Sequence, residues 1–183
     1  MTILDKISPE SEVDALRVQL KYIYNSYRTS LLNKKYYGEK LSTQMRNNFW
    51  MEIAIAIGAT GSSGIAGLAI WGTITGKWTW LGISSLAAVL SVIKPVLQLG
   101  RVIERYTKLY VGHTNIFLEL KSIIEEIEVN RSIPKKIEQK YTEIRHLIKE
   151  LGGLDDPKPD VVLIKKLQES VNQEILPESL WYP

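Results

Sequence analysis

Two long stretches of the chain carry no charge, while the rest of the sequence mixes apolar and polar residues with a helical period. No Asp, Glu, Lys or Arg occurs from Ile53 to Gly76 or from Trp78 to Ile93, whereas the flanking sequence is rich in all four. A soluble domain spreads its apolar residues at helix or strand spacing. The pattern therefore predicts an all-α membrane protein.

Each apolar block has the length of a membrane span. The blocks run from Phe49 to Trp71 and from Trp78 to Leu99, and as helices each covers roughly 35 Å at about 1.5 Å per residue, against about 30 Å of hydrocarbon. The join from Gly72 to Lys77 is short, and aromatic residues mark both interfaces. We expect a two-helix transmembrane hairpin at residues 49–99, with its aromatic anchors at Phe49, Trp50, Trp71, Trp78 and Trp80.

A soluble bundle, a signal peptide and a phosphate-binding loop fit these blocks less well. A soluble bundle with a buried hairpin would need much more chain than 183 residues to cover two helices that are apolar all round. A cleaved signal peptide is excluded because the first block begins after residue 48. A phosphate-binding loop is also excluded, because "GTITGKW" has three residues where that motif needs four, followed by Trp.

Small residues recur through the first block. Helices in lipid associate by close backbone contact, which needs small side chains every three or four residues. One row of small residues could pack against the second helix, and another row could pack against a neighbouring subunit. The candidate packing and oligomerisation positions are Ala54, Gly58, Ala59, Gly61, Ser62, Ser63, Gly64, Ala66 and Gly67.

Glu52 and Lys94 are ionisable residues within the predicted spans. They lie about 23 residues before and about 19 after the middle of the turn, so their depths differ by roughly 6 Å at about 1.5 Å per residue. They could pair, line a pore mouth or extend to the interface. Pro95 is expected to kink the second helix beside Lys94. The candidate pore or gate residues are Glu52, Lys94, Pro95, Ser84, Ser85 and Ser91.

Lys and Arg residues predict the orientation of the hairpin. They cluster on both sides of it, whereas Lys77 alone lies in the turn, so a multi-pass protein with both termini in the cytoplasm is expected. This bias accounts for the net charge of +3. No aromatic and basic groove indicates nucleic-acid binding, and lipid is the expected partner. The flanking cations are Lys34, Lys35, Lys40, Arg46, Arg101, Arg105 and Lys108.

Three further regions are predicted to be cytoplasmic and helical. Residues 1–48 form an amphipathic helix that starts near Ser8, and residues 100–151 form heptad helices, the first continuing from the membrane without a break. A helix from about Pro134 to Leu151 ends this region. Residues 152–183 hold a linker, a short helix from about Asp160 to Ile175 and a tail. The heptad positions are Leu99, Ile103, Tyr106, Tyr110, His113, Phe117, Leu120, Ile124 and Ile127.

The sequence predicts no catalytic, cofactor or metal site. Cysteine is absent, and His113 occupies a heptad core position. His146 lies on a helix that lacks the carboxylate and histidine pair of a metal-binding motif. Glu125 and Glu126 lie on a polar helix face. No nucleophile, base and orienting group can be assembled, so an enzyme is not expected.

The layout resembles a known family. The N-terminal helix carrying "YNSYR", the small-residue-rich first span, the tight turn and the second span ending in "IKPVLQLGRVIERYTKLY" are similar to the SLATT domain over about residues 10 to 150. The resemblance implies a two-transmembrane effector of bacterial anti-phage conflict systems. Such a protein lies in the bacterial inner membrane, oligomerises, and perforates or depolarises that membrane when a separate sensor detects infection, which kills the cell or arrests its growth. The sensor is associated with nucleotide signalling, a protease or a reverse transcriptase.

A scaffold and a transporter subunit are the alternative functions. The hairpin could tether a cytoplasmic coiled-coil scaffold that has no pore activity. A small transporter subunit is the third hypothesis, disfavoured because no second charged pair lies at mid-membrane depth. An effector pore would need several subunits, since two helices cannot enclose a channel, and the heptad helices are expected to provide the oligomerising stalk.

Overall fold

The described part of the chain is mainly helical. The computed structural model describes residues 9–60, 73–176 and 180–183. Within these ranges no strand occurs, which confirms the all-α fold class. The helices are α1 (Pro9–Thr60), α2 (Ile74–Leu97), α3 (Leu99–Asn130), α4 (Lys135–Gly152) and α5 (Val161–Glu174).

The chain divides into two compact units. One comprises Met1–Gly38 and Thr107–Pro183 and is called the bundle unit here; the other, Glu39–Tyr106, is called the apolar unit. Helices α1 and α3 each supply residues to both units. The expected division at residue 48 thus falls within a continuous helix.

The bundle unit is built around the N-terminal part of α1. Tyr27 stacks on Phe117 and Tyr37 on His113, with ring centroids 5.0 and 5.5 Å apart, so α1 and α3 run antiparallel. Helix α4 runs alongside α1, because Gln19 hydrogen-bonds Glu138 and Ser26 hydrogen-bonds Tyr141. The core between the three helices consists of Leu20, Ile23, Tyr24, Ile116, Leu120, Ile123, Ile124, Ile127, Ile137 and Ile144.

Helix α5 and the tail cover another side of α1. Leu31 packs with Val171 and Ile175, and Lys35 forms an ion pair with Glu174. The tail then follows α1 back toward its start. Leu180 and Trp181 pack on the core, and Tyr24 donates a hydrogen bond of 2.8 Å to the Trp181 carbonyl. Burial, reinforced by the negative charge of Glu128, raises the pKa of Tyr24 to about 12, so its hydroxyl stays a donor.

The heptad positions of α3 pack inside the chain. Leu120 and Ile127 are fully buried against α1 and α4. The buried face is also wider than the heptad pattern, because Leu109, Ile116 and Ile123 lie in it as well. These buried side chains already have partners in the same chain, and the intermolecular stalk stays a prediction.

The two C-terminal helices lie close to their expected bounds. Helix α4 begins after Pro134 and ends at Gly152, within one residue of the expected range at each end. Helix α5 is capped by Asp160, whose side chain accepts a hydrogen bond of 3.0 Å from the Leu163 amide. Such a cap satisfies one of the amides that a helix start leaves without a partner.

The second apolar helix starts earlier than expected. Thr73 has extended backbone angles, and its hydroxyl accepts a hydrogen bond of 3.1 Å from the Gly76 amide. Because this cap nucleates a helix from Ile74, four residues of the expected turn are helical, and the predicted start at Trp78 was wrong.

The helix from the second block into the heptad region is interrupted. Gln98 has φ 46° and ψ 37°, a left-handed conformation that ends α2 at Leu97. Its amide donates to the Pro95 carbonyl, and its own carbonyl accepts from Arg101 and starts α3. The expectation of an unbroken helix was wrong, because Pro95 weakens the preceding turn and Gln98 takes the capping conformation that usually falls to glycine.

Candidate functional site

Helix α2 exposes an unusual amount of apolar surface. Among the described residues it is the one helix long and apolar enough to cross a membrane, with 24 residues and a mean hydropathy of 1.7 in its most apolar window. Only 11% of that window is buried, whereas the core helix of a soluble protein is mostly buried. Large exposed side chains on it include Trp78, Leu81, Leu86, Val89, Val92 and Val96.

One narrow face of α2 points inward. Trp80 and Ala87 are its buried residues, and Ser84 between them is half-buried. Their spacing of three and four residues places them on one side of the helix. A helix that packs on one neighbour in a membrane typically has one narrow contact face, and the remainder of its surface is apolar and exposed to lipid.

An ion pair joins the two apolar segments within the apolar unit. The Lys94 ammonium donates a hydrogen bond of 2.8 Å to Oε1 of Glu52, and the Asn48 amide donates to the same oxygen at 3.0 Å. Asn48 and Glu52 are one turn apart on α1, so the Asn48 amide can bind the same carboxylate oxygen that pairs with Lys94. Both charged residues were identified from the sequence, which left open whether they pair. That Asn48 also hydrogen-bonds Glu52 was not predicted.

The small-residue positions fall largely outside the described residues. Ala54 lies in α1 and is half-buried. Gly58 and Ala59 also lie in α1, whose side-chain surroundings are described only as far as Ile57. The remaining predicted packing positions lie outside the described residues: Gly61, Ser62, Ser63, Gly64, Ala66 and Gly67.

Ser84 and Ser91, seven residues apart, share one face of α2, whereas Ser85 lies on a different face. Ser84 is half-buried and Ser85 is exposed. Ser91 donates a hydrogen bond of 2.8 Å to the Ala87 carbonyl of its own helix. Pro95, one turn further, cannot donate to the Ser91 carbonyl because proline has no amide hydrogen. Ser91 and Pro95 therefore mark a locally weakened helix beside Lys94.

His113 is one of two buried polar residues described in the bundle unit, the other being Ser30. The His113 side chain is 3% exposed and stacks on Tyr37, and among the residues that the structure describes neither of its ring nitrogens has a hydrogen-bond partner. Tyr37 in turn donates a hydrogen bond of 2.8 Å to Asp155. Burial lowers the pKa of His113, an effect that the negative charge of Asp155 opposes, so the imidazole is neutral at pH 7.

A small cavity adjoins His113. Its volume is about 190 Å³, and a row of α1 side chains at helical spacing lines it together with Ile148 of α4. A larger groove of about 590 Å³ shares Tyr22, Ser26 and Ile148 with this cavity and adds Arg145 and Lys149. The uncharged polar residues of the small cavity are Asn25, Ser26, Thr29, Ser30 and Asn33.

Neither histidine belongs to a metal-binding group. Within the described ranges, no three His, Cys, Asp or Glu side chains lie close enough together to hold an ion. Comparisons with protein-family models, with curated protein sequences and with solved structures give no match to this chain. The SLATT resemblance thus stays a prediction that rests on the residue pattern alone. The proposed function therefore depends on the geometry of α2 and its ion pair with α1.

Proposed function

We propose that this chain is a membrane effector that crosses the bilayer twice, oligomerises and depolarises the bacterial inner membrane when a partner sensor activates it. The observation that carries the proposal is the exposed apolar surface of α2 together with its ion pair to α1. At about 1.5 Å per residue, its 24 residues reach about 36 Å, enough to cross about 30 Å of hydrocarbon.

The first of the two spans would be the first apolar block, continuous with α1. Phe49, Trp50 and Ile57 are exposed on the described part of this block. The uncharged sequence then continues to Trp71. Lys and Arg before this block and after α2 favour a hairpin with its turn outside and both termini in the cytoplasm.

Oligomerisation would use the apolar unit rather than a coiled coil. The C-terminal heptad side chains of α3, at Leu120, Ile124 and Ile127, are buried within the bundle unit, so they offer no apolar stripe to a second subunit. The exposed apolar side chains of α2 remain for lipid or for other copies of the hairpin. Several hairpins in a ring would be needed, since two helices cannot enclose a channel.

The ion pair would hold the closed arrangement. Charges within a membrane are costly unless paired, and a pair between α1 and α2 fixes the two segments against each other. Lys94 also lies beside Pro95 and the Gln98 break, where α2 is easiest to reorient. Separation of Lys94 from Glu52 would then accompany opening and expose two charges to water.

Charge reversal tests this proposal. Membrane potential is measured with a dye after induced expression, with and without the neighbouring genes. Glu52→Lys or Lys94→Glu alone places like charges together, so we expect depolarisation at lower expression than for the wild type. The double exchange restores the pair and the wild-type threshold. Lys77→Glu, at the other end of α2, is the matched control and leaves the threshold unchanged.

A scaffold gives a different result. If the hairpin merely anchors the bundle unit, none of these variants alters membrane potential, and an unrelated hairpin replaces residues 49–99 without loss of activity. That outcome would exclude the effector while keeping the membrane anchor.

A further inference from the structure

The tail segment Leu180–Pro183 occupies a groove on the bundle unit. Its leucine and tryptophan side chains pack on the core that α1, α3 and α4 form. The Tyr24 hydroxyl donates a hydrogen bond of 2.8 Å to the Trp181 carbonyl. Arg17 donates two further hydrogen bonds, of 3.1 and 3.0 Å, to the Pro183 carbonyl. Side chains of a helix therefore hold the backbone of this segment, as they hold an extended peptide in a recognition groove.

Aromatic contacts give the groove its selectivity. The guanidinium of Arg131, which follows the end of α3, lies 5.2 Å from the ring centroid of Trp181. The rings of Tyr182 and Tyr24 meet edge to face, with centroids 5.4 Å apart and planes at 74°. A cation over an aromatic face and an edge-to-face ring pair are both favourable geometries. The groove therefore suits an extended segment with two adjacent aromatic residues.

The groove follows one face of α1. Arg17 and Tyr24 bind the tail segment, and Leu31 belongs to the cluster on which Leu180 packs. These three residues of α1 are seven positions apart. Seven positions are close to two turns of helix, so the three side chains lie on the same face. A continuous helix therefore presents the contacts that the tail segment uses.

The tail segment lies on the surface of the bundle unit rather than in its core. Tyr182 is 47% exposed, and the other three residues of the segment are half-buried. The chain from Leu176 to Pro183 can reach about 24 Å when extended, at about 3.4 Å per residue. Packed helices are about 8 to 10 Å apart. A chain that packs alongside is therefore within reach of the segment.

We propose that, in the oligomer, the tail segment of one subunit binds the groove of a neighbouring subunit. The groove holds this chain's own sequence, so a second copy supplies an occupant of the right chemistry. The contacts are the same within one chain and between two, which makes exchange a low-cost route to assembly. Confinement to one membrane also raises the local concentration of neighbouring grooves. The exchange rests on the proposed oligomerisation, to which it adds a contact between bundle units.

Photocross-linking between isotopically distinct chains tests the exchange. A light full chain carries p-benzoylphenylalanine in place of Tyr182, and a heavy, ¹⁵N-labelled full chain keeps the natural residue. Equal amounts are mixed in detergent micelles, reconstituted together into phospholipid vesicles and irradiated, and mass spectrometry identifies the joined peptides. Random exchange predicts that about half of the products join a light tail to a heavy α1, because half of the grooves are heavy. Products that join only light to light would overturn the exchange.

Two variants of the heavy chain test the groove. Tyr24→Phe keeps the ring but removes the hydroxyl that binds the Trp181 carbonyl. The loss of one such hydrogen bond weakens binding about fivefold, so the light-to-heavy share should fall from about a half to about one sixth. Tyr22→Phe is the matched control, because Tyr22 lies on another face of α1 and is 64% exposed. The control should leave the share unchanged, and equal shares for the two variants would refute the assigned groove.

Further outcomes separate the exchange from the proposed effector function. Light-to-light products alone, from a chain that depolarises cells, would reject the exchange and keep the effector. Light-to-heavy products from a chain that does not depolarise cells would confirm the exchange and contradict the effector. When the light chain is expressed with the neighbouring genes, a tail joined to another protein instead of α1 would show a different binding partner and overturn the exchange as well.

Discussion

Replacing Leu120 by alanine tests whether the heptad face of α3 packs within one chain. Leu120 is fully buried in the bundle unit, between α1 and α4. The substitution removes three carbon atoms from an apolar core that includes Ile23, Ile124 and Ile144. An apolar cavity of this kind does not attract water. A cavity therefore remains where the side chain was.

The expected loss is large compared with the stability of a small domain. Fully buried Leu→Ala changes cost about 2 to 5 kcal/mol, since the lost transfer free energy adds to the cavity. For a domain of this size, about 3 kcal/mol corresponds to a drop in Tm on the order of 10 °C. Leu118→Ala, on the same helix but 54% exposed, should change stability by about 0.5 kcal/mol or less.

Thermal unfolding of the full chain in detergent micelles, followed by circular dichroism, measures both variants. We expect the Leu120→Ala loss to be the same over a tenfold range of protein concentration, because the partners of Leu120 are in its own chain. If the heptad face joined two chains instead, Tm would rise with concentration and the loss would vary with it. Equal melting of the two variants would also refute the assigned core.

Three further changes follow from the geometry and are measured by the same unfolding assay. Gln98→Gly should stabilise by about 1 kcal/mol and Gln98→Val should destabilise, because φ is 46° there. A Gly→Ala change inside a helix usually stabilises the fold by about 1 kcal/mol. Gly112→Ala should stabilise it by less, because the new Cβ would lie 2.6 Å from a Leu151 side-chain carbon. In a Leu151→Ala background the full stabilisation should appear. Burial lowers the pKa of His113 in the folded state below its value of 6.5 in the unfolded chain, so the unfolded chain binds a proton at a higher pH than the folded chain does. The free energy of unfolding should therefore fall as the pH drops below 6.5. His113→Gln should flatten that slope, whereas an unchanged slope would contradict the burial argument.

Local signals in the sequence were sufficient for the short helices. Pro134 and Gly152 delimit α4, and Asp160 caps α5, because these residue types have strong preferences at helix ends. The exposed apolar helix α2 was also evident from its uncharged run, since hydropathy needs no tertiary information.

Long-range choices could not be predicted. A heptad row shows that a face is buried but not whether its partner is the same chain or another, so the packing of Leu120 had to come from the structure. Gln98 is a poor signal for a left-handed residue, and the break there was missed. The cavity beside Asn25, Thr29 and Asn33 was not predicted, because it depends on where α3 and α4 pack against α1.

Lipid exposure of α2 is the claim on which the proposed function depends most. The chain has no cysteine, so single cysteines can be introduced without background. Val89→Cys lies in the middle of α2 and Val129→Cys near the end of α3, and both positions are exposed in the structure. In opened membrane vesicles, a membrane-impermeant maleimide should label Val129→Cys and leave Val89→Cys unmodified until detergent is added. Equal labelling of both in intact bilayers would place α2 in water and contradict the membrane assignment.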